Sequence, residues 1–80
     1  MNEQRPQSRK VRALQQALGM AAPEIVREYR PKPLTYREMA DEWQTRVNAR
    51  FPELRLRFDY SDVYRLFKKY GQAAQQESVR

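Results

Sequence analysis

The chain reads as a mainly α-helical small domain, with three or four helices and one short extended segment. Three observations predict this. Apolar residues recur at helical spacing in four separate stretches, while only one stretch alternates with period two. The stretches are punctuated by Gly19, Pro31, Pro33 and Pro52, which end helices. The length of 80 residues limits the chain to one domain. A domain of that size hides only roughly 60% of its unfolded surface, so association with a second copy is a common remedy.

The first periodic stretch is "RKVRALQQALG", in which Val11, Leu14, Ala17 and Leu18 form a stripe that ends at Gly19. "AAPEIVREYR" follows, with Pro23 in the first helical turn, where its missing N–H costs nothing. Ile25, Val26 and Tyr29 point inward. The third stretch, "LTYREMADEWQTRVNARF", opens on Thr35 and Glu38, the T-x-x-E of a capping box, with Leu34 and Met39 at staple positions. Tyr36, Met39, Ala40, Trp43 and Val47 make its apolar face. Glu38, Asp41 and Glu42 lie near its positive end and Arg46 and Arg50 near its negative end, as the helix dipole favours.

In "ELRLRFDY", Leu54, Leu56, Phe58 and Tyr60 alternate with Arg55, Arg57 and Asp59, which predicts an extended strand with one buried face. It would pair across a dimer or lie over the core. In the last stretch, "FDYSDVYRLFKKYG", Val63, Leu66, Phe67 and Tyr70 share one face, while Ser61, Arg65, Lys68 and Lys69 fall on the other. Asp59 or Ser61 is the expected N-cap, and Gly71 stands where a left-handed cap would end the helix. Residues 1–8 are expected to be a disordered basic arm, 9–71 the helical domain and 72–80 a frayed tail.

With no His and no Cys, the chain lacks the commonest general base, nucleophile and zinc ligands, and only two glycines are present to build a phosphate loop. Catalysis is not expected, and neither is a cofactor or small-molecule substrate. The carboxylates of Glu38, Asp41 and Glu42 read as solvated charges. No apolar run reaches the roughly 20 residues of a membrane span, and the polar opening "MNEQRPQSRK" carries no secretory signal, so a cytoplasmic protein is expected.

The formal net charge is +6, from 16 basic against 10 acidic residues. That balance favours an anionic partner, most often nucleic acid. Residues 1–33 are net +4 and 54–71 net +3, around a middle (34–53) of net −1.

"LTYREMADEW" and "YSDVYRLFKKYG" together resemble the two helices of a helix-turn-helix unit of small bacterial and phage regulators. The resemblance covers residues 34–43 and 60–71, with "QTRVNARFPELRLRF" as a much lengthened turn. It implies DNA binding; the small size suits a regulator or accessory factor from a phage, plasmid or other mobile element, and a dimer is expected because one small module covers little DNA. On that resemblance Ser61, Asp62, Tyr64 and Arg65 would face base edges, with Arg65 on guanine. Lys68 and Lys69 would lie on phosphates, with Arg55 and Arg57 flanking the groove. Arg5, Arg9, Lys10 and Arg12 would form a basic arm along the backbone or minor groove. The bland alternative is a solvated helix face, a charge-guarded edge strand and a solubilising tail.

Tyr36, Trp43, Phe58, Phe67 and Tyr70 are expected in the core, with Tyr29, Tyr60 and Tyr64 partly exposed. The rival function is a protein-interaction module, a small inhibitor or adaptor whose "LRLRF" adds a strand to a partner's sheet. A contiguous basic face would favour DNA; scattered cations beside an exposed apolar groove would favour a protein.

Overall fold

The computed structural model describes residues 8–79, with side chains described through Gly71. Four helices run in the order α1 (Arg9–Leu18), α2 (Ala22–Tyr29), α3 (Tyr36–Arg50) and α4 (Tyr60–Val79), with a single 3₁₀ turn at Pro52–Leu54. Among the described residues there is no strand, and no helix is long and apolar enough to cross a membrane. The expectations for residues 1–7, Arg5 included, fall outside the described residues.

Each helix start is set by a side chain or a proline. Ser8 Oγ accepts a hydrogen bond from Val11 N at 3.2 Å, so Ser8 caps α1 and belongs to the fold instead of to an arm. Gly19 closes α1 in the left-handed region, φ 70, where its missing Cβ removes the steric penalty. In α2, Pro23 occupies the first turn and Glu24 Oε1 accepts from Ala21 N. Gln15 Oε1 accepts from Ala22 N at 2.8 Å and so ties α1 to α2. The capping box of α3 is complete: Thr35 Oγ1 accepts from Glu38 N at 3.1 Å, and Glu38 Oε1 accepts from Thr35 N at 2.8 Å.

The alternating segment is not a strand: Leu54 closes the 3₁₀ turn, Arg55 is left-handed, and residues 56–59 have no regular structure. Leu54 and Leu56 pack against the core, Phe58 is buried, and Arg55, Arg57 and Asp59 face out, so the period-two pattern is realised. Its backbone partners are side chains of α3: Phe58 N donates to Gln44 Oε1 at 2.8 Å, and Asn48 Nδ2 donates to Leu56 O at 3.4 Å. Two amides of α3 take the place of a neighbouring strand. Tyr60 departs from the alternation, because it begins α4 and points outward with 56% of its surface exposed. Arg55 carries a positive φ of 50 where the 3₁₀ turn ends, a conformation that costs an L-residue roughly 1–2 kcal/mol.

Gly71 does not end the last helix. It is a buried helical residue of α4, which continues to Val79. A Cβ at Gly71 would run into the guanidinium of Arg30, with Val26 Cγ1 in ordinary contact at 3.9 Å. The glycine leaves room for the Arg30 side chain, which follows α2, against α4.

α4 packs on α2 and α3, and α1 packs on α3 and, less extensively, on α2. Trp43 lies at the centre, 1% exposed, edge-on to Tyr29 (centroids 5.5 Å apart, planes at 85°) and to Phe58 (6.5 Å, 90°). Such aromatic pairs add roughly 0.5–1.5 kcal/mol each beyond the area they bury. Tyr29 is not partly exposed but buried, and Glu42 is not a fully solvated charge. The Tyr29 hydroxyl donates to Glu42 Oε2, locking α2 to α3. Burial first, then the hydrogen bond and charge of Glu42, push the Tyr29 hydroxyl up to about 12, with Arg46 and the indole of Trp43 acting the other way. Tyr36, expected in the core, keeps 38% of its surface exposed because it begins α3; its ring meets that of Phe67 edge-on at 5.3 Å.

Candidate nucleic-acid interface

The N-terminus of α4 is built from two aspartates. Asp59 Oδ1 accepts from Ser61 N at 3.1 Å and Asp62 N at 3.3 Å, while Asp62 Oδ2 accepts from Asp59 N at 2.9 Å. This is a capping box made by D-x-x-D, and it identifies Asp59 as the cap. Slight desolvation pushes the Asp59 carboxyl up, but hydrogen bonds with Asp62 and Ser61 and the charge of Lys10 outweigh it and hold the group below the usual carboxylate range. Asp62 also receives Lys10 Nζ at 3.0 Å, a link between α1 and α4 across 52 positions of sequence. The same ammonium lies 5.5 Å from the centre of the Phe58 ring.

Asp62 and Lys10, both expected to reach nucleic acid, are therefore engaged with one another and with the helix start. Ser61 is half-buried in the first turn. Arg65 extends from the next turn with 75% of its side chain exposed and reaches Asp62 Oδ1 only at 3.8 Å. An exposed pair at that distance contributes little, on the order of 0.3–0.5 kcal/mol.

Beyond this first turn, α4 divides cleanly. Val63, Leu66 and Phe67 are buried, and Tyr64, Arg65, Lys68 and Lys69 are exposed. Lys68 Nζ stands 5.9 Å from the Tyr64 ring centre and Lys69 Nζ 5.5 Å from that of Tyr70, so each ammonium rides over a neighbouring ring while its charge stays in solvent. Arg65, Lys69 and Lys10 line a cleft of about 210 Å³ between α1 and α4, with Ser8 at its edge.

The remaining cations lie elsewhere. Arg55 and Arg57 line a separate depression beside Gln44 and Asn48 of α3. Arg9 and Arg12 sit on α1 next to Phe51 and Leu54. The residues expected at one surface thus fall into three groups, and only Lys10, Arg65, Lys68 and Lys69 gather along α4. Arg30 is one that sequence reasoning missed. It follows α2, yet it shares a depression with Lys68 and Tyr64. The available signal was Gly71, a glycine inside a helical pattern, which marks a close approach. Among the described residues no three acidic side chains come together as a metal-binding group.

No family model matches the chain, and neither do any of the curated proteins or solved structures compared with it.

Proposed function

We propose that the chain is a small, non-enzymatic, cytoplasmic DNA-binding protein that lays the outer face of α4 on the phosphate backbone, as a regulator or accessory factor. The observation that carries this reading is the division of α4. One face closes the core, and the other presents Arg65, Lys68 and Lys69 to solvent with one weak acidic contact to them among the described residues. In a chain of net charge +6, a row of exposed cations on one helix face is an electrostatic footprint for phosphate. Arg65 is the residue we assign to a guanine edge, since its side chain is 75% exposed and its fork can bond in a bidentate way. A pair of copies would cover more DNA than one module.

The rival reading, in which "LRLRF" adds a strand to a partner's sheet, has less support, because Phe58 N and Leu56 O are already bonded by α3.

The test is fluorescence anisotropy with a labelled mixed-sequence duplex at several salt concentrations. Binding whose logarithm falls linearly with that of salt, by roughly 0.9 for each phosphate contacted, is the expected result. A folded protein that does not bind at low salt would refute the reading.

A further inference from the structure

Three large apolar or aromatic side chains remain exposed among the described residues: Tyr36, Tyr60 and Tyr64. Two of them, Tyr36 and Tyr64, line one depression of about 400 Å³ formed by α3, α4 and the end of α2. Met39 and Phe67, both buried, belong to the same depression, and Arg30 and Lys68 complete it. Neither cation forms an ion pair among the described residues, although they share one small concavity.

Arg30 is held there at a cost. Its guanidinium lies where a Cβ on residue 71 would be, and Gly71 sits well inside a 20-residue helix. Glycine is among the poorest residues for such a position, so the arrangement gives up helix stability to bring Arg30 against α4. Gly71 is one turn beyond Lys68, which places the two positive charges side by side along the helix.

We infer that this depression binds one unpaired nucleotide of a nucleic-acid strand, with the base stacked on Tyr64 beside Tyr36 and the adjoining phosphate on Arg30 and Lys68. This rests on the nucleic-acid reading above and adds a preference for unpaired stretches. An exposed tyrosine ring offers a flat apolar face that any base can cover, and two exposed cations beside it attract an anion. The volume falls in the range of small-ligand sites, roughly 300–1,000 Å³. The bases of an intact duplex hide their faces and cannot enter. Lys68, now over the Tyr64 ring, would move to the phosphate when a base takes its place.

The experiment compares anisotropy of a labelled oligothymidylate strand with that of a mixed-sequence duplex, for wild type, Tyr64→Ala, Tyr64→Phe and Gly71→Ala. Tyr64→Ala is expected to weaken strand binding roughly tenfold or more and duplex binding by less than about twofold. Tyr64→Phe keeps the ring and should keep the strand. Gly71→Ala displaces Arg30 without loss of fold, which Trp43 fluorescence on heating would verify, and should weaken the strand alone. Strand binding unchanged in Tyr64→Ala, or equal losses on strand and duplex, would overturn the inference. Duplex binding with no strand binding would overturn it and leave the duplex reading standing, whereas loss of both ligands in wild type would overturn both. Displacement of the strand by a glutamate- and tyrosine-rich peptide at lower concentration than by unlabelled strand would assign the depression to a protein and overturn it too.

Discussion

The start of α4 and the two turns that follow both carry charged side chains and use them differently. At the start, Asp59, Asp62 and Lys10 are consumed by the cap and by the link to α1. Further along, Arg65, Lys68 and Lys69 stand in solvent, and of the three only Arg65 has an acid nearby among the described residues. A charged residue on an amphipathic helix is thus not yet a contact residue. Its partners decide whether it holds the fold or faces a ligand.

The largest effect is expected from Arg65→Ala/Lys69→Ala. Losing the base-edge contact of Arg65 and the phosphate contact of Lys69 should weaken duplex binding roughly tenfold or more at low salt and lower the salt slope by about 0.9. Thermal stability should change by less than about 0.5 kcal/mol, as for exposed positions generally. Equal damage to stability and binding would erase the distinction.

Next is the alkaline limb set by Tyr29, which like Lys10 and Asp62 holds helices together. Its folded pKa lies above the unfolded value, so the stability it contributes is complete below pH 10 and is lost as pH rises through about 12. The loss is on the order of 2 kcal/mol by that pH. Tyr29→Phe should remove this limb of the stability profile, read by denaturation at several alkaline pH values.

Asp62→Ala should cost about 1–2 kcal/mol, since it removes the acceptor for Asp59 N and the partner of Lys10. Duplex binding should rise several-fold, because a negative charge beside Arg65 and Lys10 is gone. A loss of binding would mean that Asp62 contacts the nucleic acid after all.

The smallest effect is a gain. Gly71→Ala should stabilise the protein by about 0.5–1 kcal/mol, because the atom in its way is the far end of a flexible arginine. A melting temperature that falls would show that Arg30 cannot move aside.

Much of the fold was readable from local pattern. The Thr35–Glu38 box, the apolar face of α3 and the end of α1 at Gly19 depend on residues within a few positions of each other. The alternation of Leu54, Leu56 and Phe58 correctly marked an inward face. It could not tell a strand from an irregular segment held by Gln44 and Asn48, since both bury every second residue. Gly71 was misread because a glycine after an apolar stripe looks alike whether it ends a helix or admits an arginine from another one. The Lys10–Asp62 pair and the Tyr29–Glu42 bond join different helices, so no spacing rule could announce them. The candidate surface suffered most from this. The sequence shows which residues are charged, and only tertiary structure shows which of them are already neutralised.

The decisive measurement is chemical-shift mapping of the labelled backbone amides as a mixed-sequence duplex is added. Changes concentrated at residues 64–69, with little at 55–57 or at Arg9 and Arg12, are the expected result. Changes confined to those other positions, with α4 silent, would contradict the assignment of phosphate contacts to the outer face of α4.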